Sequence, residues 1–527
     1  MHAALQTVEL LLDVFSYLDH VDLAVVARTC SEFSDPALGY LWQHLAVFGP
    51  IVRLLPDAKI STYRKQSESW IGDEQRKEYC YQVTGRLSND DMARVRYYAS
   101  FVKSFQLWQY TADISADDLQ KVLNALRDVP LFPNLRTFDY EGPSDFTPLL
   151  LPIIGTCLND LKMNYNFGRD HDVGIWAVRA EDVDYTIDRD TLLAIKERKP
   201  RAPITKLLVF TSMTFPDFLR PILTGWDELE ELVLESRVEP PLLMAIARLP
   251  CLRLLSMAAP DGLTEHLNAL QSPCTHNDTL VSLRLCGSTV KETLSVLSPT
   301  SLSDLRLSMA DSATAFRAAC MRLLESNLSP SLEKMTLEQF AGMPNSEEAN
   351  AYLAEPLFIQ HIQPMFFFRG LIYVRLGFHI ILLTDDDMLC MAKSWPCLQH
   401  LSITHTSTMD PSCTLSCILA FAQYCHDLVY LHLPLDATEL VVPEPAAIPF
   451  PCAHQRLRTL HVADSPIKSP ERVASFLTRF FPNLGADGLV AYPRDEGRKK
   501  LWSVVRQLVP TLLDARMTGI HGGVKPA

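Results

Sequence analysis

The sequence predicts an α/β chain: a small N-terminal unit of three helices, then a long, irregular solenoid with a curved parallel sheet and helical return segments. Three observations predict it. The motif (apolar)-x-x-(apolar)-x-(apolar) recurs from Val102 to the C-terminal region, most cleanly as Leu280-Val281-Ser282-Leu283-Arg284-Leu285. Its copies are near-regularly spaced, most of them 22 to 33 residues apart, with one step of 46. A stretch of helical period, residues 5–48, stands apart before the copies begin.

The motif explains its own recurrence. Its last two apolar residues alternate, as on a half-buried strand, and the first turns the chain into that strand. A return segment follows, such as Asp385–Lys393 or Pro470–Leu477, whose apolar residues fall at helical spacing. One strand and one return segment cannot bury a face alone, whereas stacked copies share a core. Motif and period together are those of leucine-rich repeats. Strong copies start at Leu229, Leu280, Leu302, Leu398 and Leu428, and weaker ones at Val102, Leu135, Leu158, Ile204, Leu252, Leu332, Leu371, Leu457 and Leu484. Four copies share an entry turn through proline, as in Phe132-Pro133-Asn134-Leu135 and Trp395-Pro396-Cys397-Leu398.

Taken in order, residues 1–50 form the helical unit. Val8, Leu11, Leu12, Phe15 and Leu18 fall on one helical face. Asp22 is the predicted N-cap of a second helix carrying Leu23, Val26, Ala27 and Cys30. Asp35-Pro36 is the predicted start of a third, with Leu38, Leu41, Trp42 and Leu45 behind it. So small a core is marginal, which gives its surplus apolar residues a reason in a partner surface or in capping the solenoid. Residues 51–101 read as a linker, with a polar loop over Lys59–Arg76 and a helix starting at Ser88-Asn89-Asp90-Asp91. The solenoid is assigned to 102–492, interrupted near 164–203, where a helix spans Asp188–Lys199, and near 341–369. Residues 493–516 read as a closing amphipathic helix and 517–527 as a frayed tail.

The run Val8–Asp19, then Asp22-Leu23, Arg28-Thr29-Cys30 and the closing Leu41-Trp42 resembles an F-box, with Thr7-Val8 where that pattern has Leu-Pro. Phe33–Trp42 followed by Val52–Pro56 is similar to the version found in mushroom-forming fungi, whose members also carry degenerate leucine-rich repeats. The resemblance implies docking onto a Skp-family linker protein, and through it onto a cullin of an SCF-type ubiquitin ligase, with the repeats choosing a protein substrate for ubiquitin-dependent degradation. Carried over to this chain, the docking face draws on Val8, Leu11, Leu12, Phe15, Leu18, Leu23, Val26, Cys30 and Trp42, residues that equally suit the unit's own core. The alternative is a leucine-rich-repeat scaffold attached to no ligase.

Composition narrows the rest. The chain has 527 residues, 48% hydrophobic and 21% charged, with a formal net charge of −14, which argues against a nucleic-acid surface as its main purpose. No apolar run reaches membrane-spanning length, and Glu9 and Asp13 interrupt the N-terminal leucines where a signal peptide would be apolar. These features suit the cytoplasm or nucleus, where the 13 cysteines stay reduced.

Enzyme signatures are sparse. There is no Gly-rich phosphate loop, nucleophile elbow or His-Glu-x-x-His, so neither catalysis nor a cofactor is expected, and a hydrolase or metal enzyme built on the inserted loops is the rival in that class. Cys397, His400, His405, Cys413, Cys417, Cys425 and His426 crowd together without metal-knuckle spacing and read as core thiols; Asp385-Asp386-Asp387 reads as a helix start. One arrangement points outward. The residue between the last two apolar positions of each repeat faces away from the core, and stacking places Ser256, Arg284, Arg306, Thr336, Arg375, Ser402, His432 and His461 in one column on the concave sheet. Arg284, Arg306, Arg375, His432 and His461 are therefore the candidate substrate surface, suited to an acidic or phosphorylated segment; the competing reading pairs them with neighbours such as Asp304 and Glu338.

Overall fold

A computed structural model describes residues 7–66, 77–108, 112–127, 129–141, 144–165, 186–211, 219–260, 263, 265, 277–309, 313–325, 331–339, 355–405, 410–439 and 453–521. It divides into two compact units, Met1–Leu252 and Arg253–Ala527.

The first unit opens with α1 (Val8–Phe15), α2 (His20–Val26) and α3 (Ser31–Trp42). Leu11, Phe15, Leu23 and Ala37 form their buried centre, with Leu18, Val26, Phe33, Tyr40 and Leu41 half-buried around it. Phe15 meets Phe33 edge-on at 5.9 Å. Two helix starts differ from the sequence reading. The cap of α2 is Asp19, whose carboxylate accepts the Asp22 N–H at 2.8 Å, so Asp22 lies in the first turn. Helix α3 begins at Ser31, after extended Cys30, and Pro36 sits inside it. Asp35 is drawn into a tertiary contact instead, accepting a hydrogen bond from the Tyr97 hydroxyl.

The sheet begins earlier than the motif does. Strand β1 (His44–Leu45) pairs in parallel with β4 (Ser104–Trp108), and the Gln43 carbonyl accepts the N–H groups of both Lys103 and Ser104. Between them lie α4 (Gly49–Val52), the antiparallel hairpin β2 (Ile60–Gln66) and β3 (Lys77–Val83), and α5 (Asn89–Ala99). The loop expected over Lys59–Arg76 is thus a strand as far as Gln66, and 67–76 lie outside the described residues. Helix α5 carries the expected start: Ser88 and Asp91 cap each other's backbone. Asp113 fixes α4 from a distance, its carboxylate accepting the N–H groups of Phe48 at 3.0 Å and Gly49 at 2.6 Å. Trp42 rests on Tyr98, ring centres 4.8 Å apart, so α3 is held against α5.

Parallel strands β5 (Thr137–Glu141), β6 (Asp160–Tyr165), β7 (Lys206–Thr211) and β8 (Glu231–Arg237) continue the sheet from β4. Their return segments are α6 (Ala116–Leu126), α7 (Leu150–Ile153), α8 (Thr186–Glu197), α9 (Leu219–Leu223) and, after β8, α10 (Pro240–Ile246). Helix α8 falls in the first interruption close to its expected place, while 166–185 lie outside the described residues. The register Phe105–Phe138–Leu161–Leu207–Leu232 stacks one buried residue per repeat. These are the fourth residues of the motif, so the stack is the motif seen side-on.

In the second unit β9 (Leu254–Ala258), β10 (Ser282–Cys286), β11 (Asp304–Met309), β12 (Lys334–Gln339), β13 (Tyr373–Phe378), β14 (His400–His405), β15 (Tyr430–His432), β16 (Thr459–His461) and β17 (Leu489–Val490) pair in parallel. Helices Val290–Leu297, Ala313–Glu325, Asp385–Ser394, Ile418–Tyr424 and Pro470–Phe480 return the chain. Of the second interruption, 340–354 lie outside the described residues; 355–369 form an ordinary return segment that buries Leu357, Ile362, Met365 and Phe368. The closing helix runs Glu496–His521 and buries Trp502, Val505 and Val509, whereas Val504 is exposed.

The shared entry turn has a physical function. Phe132 and Phe481 are buried, and the asparagine two residues on donates its amide to the preceding repeat: Asn134 to the Ser100 carbonyl, Asn483 to the Gln455 carbonyl. His454 does the same work by another route. Its Nδ1 accepts the Leu457 N–H at 3.1 Å, so Nε2 carries the proton and donates to the Cys425 carbonyl at 2.9 Å.

Gly488 opens the last strand where a Cβ would stand 2.0 Å from the Arg458 carbonyl oxygen. That oxygen is main chain and cannot swing aside. Gly488→Ala is expected to cost about 1–3 kcal/mol through overpacking, read as a lower denaturant midpoint, and an unchanged midpoint would show that β17 shifts freely.

Candidate functional site

Two surfaces carry functional side chains. The first is on α1 and α2. Helix α1 is apolar nearly all round, because Val8, Leu10, Leu11, Leu12 and Val14 surround its axis with Phe15. Packing by α3 takes only Leu11 and Phe15 inside. Val8, Leu10, Leu12 and Val14 remain exposed, as do Tyr17 at 84%, Val21 at 72% and Val25 at 59%. The nine residues proposed for docking therefore divide. Val8 and Leu12 are on the surface; Leu11, Phe15 and Leu23 are core; Leu18, Val26, Cys30 and Trp42 are half-buried. Sequence reasoning passed over Leu10, Val14, Tyr17, Val21 and Val25. Their only signal was surplus, since a three-helix unit has more apolar side chains than its core can hold.

The second surface is the open face of the second unit's sheet. Strand pairing aligns Ser256, Arg284, Arg306, Thr336, Arg375, Ser402, His432 and His461 across β9 to β16 without a register slip. The three arginines are exposed, Thr336 is buried, and Ser402, His432 and His461 are half-buried. Part of the expected neutralisation is present: Arg375 Nε lies 2.7 Å from Glu338 Oε1, and Arg306 Nε lies 3.6 Å from Asp304 Oδ1. Both pairs are partly exposed, so each is worth little and opens readily. Arg284 has no carboxylate partner among the described residues.

The histidines belong to a ring-bearing patch. Two positions earlier on the strands, Tyr373, His400 and Tyr430 lie side by side, ring centres 6.0 Å and 5.9 Å apart. His432 and His461 approach to 4.3 Å, and His461 meets Tyr492 at 5.2 Å. His432 Nδ1 lies 3.4 Å from the Ser402 hydroxyl, whereas His461 Nδ1 is buried without a hydrogen-bond partner among the described residues. Burial pushes His432 down to about 4, with repulsion from His461, Arg375 and His405 adding to it, and burial lowers His461 as well. Near neutral pH His432 and His461 present uncharged rings.

A pH dependence follows. Both imidazoles hold protons more weakly in the folded chain than the ordinary 6.5. The unfolded chain therefore binds more protons as pH falls below that value, so their contribution to stability is whole above it and is lost towards pH 4. Denaturant midpoints of the native chain are expected to fall between pH 7 and pH 4.5, and less steeply in His432→Asn. Parallel curves would rule out His432 as a source of the decline.

The sulfur-rich cluster resolves into structural roles. Cys413, Cys417 and Cys425 are buried, Cys397 is exposed, and Cys425 Sγ points at the Trp395 carbonyl, 3.4 Å away. Among the described residues no group of three or more histidines, cysteines and carboxylates could hold a metal ion. Thr384 caps the helix of the triple acid with Asp387 reciprocating, and Asp385 accepts both the N–H and the hydroxyl of Thr414, each at 2.6 Å.

Comparison with known proteins bears on the first surface alone. No curated protein matches the chain. Among solved structures it is similar to an internalin from Listeria monocytogenes, 13% identical over 57% of this chain and 78% of that one, with a TM-score of 0.30. It is also similar to a leucine-rich-repeat protein from Leptospira interrogans, 14% identical over 72% of this chain and 90% of that one, with a TM-score of 0.29. Likenesses this distant carry no argument, and the repeat architecture rests on the strand register described above. Residues 8–47, which span α1 to α3 and β1, match the family model of the F-box-like domain.

Proposed function

We propose that the chain is the substrate-recruiting adaptor of an SCF-type ubiquitin ligase, acting in the cytoplasm or nucleus and catalysing nothing itself. The F-box-like unit docks a Skp-family linker, which brings a cullin, and the repeats hold a protein substrate. One observation carries the reading: within the F-box-like match, α1, α2 and the turn between them expose seven large apolar side chains from Val8 to Val25. Exposed apolar surface so concentrated marks a protein-binding face. The contacts that hold α3 against α5, and the pairing of β1 with β4, would transmit the linker's position to the first repeats.

The test is co-purification of the full chain with a recombinant Skp-family protein. A stoichiometric complex is expected. A chain that is folded by circular dichroism yet captures no linker would leave a repeat scaffold independent of any ligase.

A further inference from the structure

We infer that the open face of the second unit's sheet binds an extended peptide segment of the substrate that pairs an anionic side chain with an aromatic one. The inference rests on the adaptor reading only in calling that segment the substrate's. The face has two parts on adjoining strands. Arg284, Arg306 and Arg375 stand on β10, β11 and β13, and the rings of Tyr373, His400, Tyr430, His432, His461 and Tyr492 cover β13 to β17 and the residues just beyond.

Charge complementarity selects the anion. The protein is acidic overall, at −14, yet this column places arginines in line with the nearest acids, Asp304 and Glu338, set at its side. Arg284 is unpaired among the described residues, and the other two arginines are held only by partly exposed pairs that a better acceptor displaces. Guanidinium offers parallel donors to a carboxylate or a phosphate ester alike.

The ring patch selects the second side chain. Imidazole and phenol faces form a semi-apolar floor on which an aromatic ring stacks offset or edge-on. Tyr492 is largely exposed and stands at the rim.

The sheet also sets the spacing. Neighbouring strands are about 4.8 Å apart, so the arginines of β10, β11 and β13 stand roughly 10–24 Å from His432 on β15. An extended peptide advances about 3.3 Å per residue. Lying across the strands, it places its acidic residue about three to seven positions from its aromatic residue.

The test pans a random display library of peptides against the full chain. Enriched peptides are expected to combine Asp or Glu with Phe, Tyr or Trp at that spacing. A labelled synthetic peptide of that type should bind at least about tenfold more weakly to Arg306→Glu and to the double variant His461→Ala with Tyr492→Ala. A lysine replacing the peptide's acid should restore binding to Arg306→Glu. Paired peptides carrying aspartate or phosphoserine at the acidic position distinguish a carboxylate from a phosphate ligand. A library without binders, binders lacking the acid–ring pairing, or binding indifferent to both variants would overturn the inference. Capture of a Skp-family protein, measured on the same preparations, reports on the adaptor reading separately.

Discussion

Replacing Val21 and Val25 together with aspartate is expected to abolish capture of a Skp-family linker while leaving the chain folded. The two valines are four residues apart on α2, on one face, 72% and 59% exposed, and neither belongs to the buried centre of Leu11, Phe15, Leu23 and Ala37. Burying two such side chains in an interface contributes about 3 kcal/mol or more, and burying unpaired carboxylates in their place opposes binding further. The affinity loss should exceed about a hundredfold. The informative contrast is Leu11→Asp, at a residue only 3% exposed. That change puts a charge into the smallest core of the molecule and should unfold α1 to α3, so binding is lost together with helical circular dichroism. Undiminished capture by the folded Val21/Val25 variant would remove α2 from the docking face and leave the exposed side of α1 to supply it.

Phe105→Ala should give the largest loss of stability in the first unit. Phe105 is fully buried on β4 and meets Phe48 at 4.8 Å, Phe132 at 4.9 Å and Phe138 at 6.0 Å. These rings come from the segment after β1, from the first entry turn and from β5. One side chain thus ties the end of the helical unit to the first two repeats. Truncating a buried phenylalanine costs about 3–5 kcal/mol, because the transfer free energy is lost and the surrounding rings collapse only in part. Calorimetry of the full chain should show the transition of the first unit moving down by several degrees. A change under about 1 kcal/mol would mean that the ring cluster repacks, as cores with room to shift do.

The sequence by itself determined the repeat. Each motif copy alternates its last apolar residues, a strand's side chains have a period of two, and a one-residue slip would bury every polar partner. The register of Arg284, Arg306, Arg375, His432 and His461 was therefore legible in the sequence, as was the helix start at Ser88. What a side chain does once aligned was legible only in part. Pairing of the arginines with Asp304 and Glu338 was one of two sequence readings and is found at Arg306 and Arg375, whereas His461 settles between His432 and Tyr492 because of residues far off in sequence, at separations no local pattern encodes.

Only the tertiary structure decided the short and ambiguous elements. Strand β1 has two residues, too few for any alternation, and exists because Gln43 offers its carbonyl to Lys103 and Ser104. The hairpin strand Ile60–Gln66 is mostly polar and gains its order from the partner Lys77–Val83. Helix α1 is the clearest case. Apolar residues surround its axis, so its periodicity cannot separate a core face from a docking face. Packing of α3 against it takes in Leu11 and Phe15, and the remaining apolar side chains stay exposed.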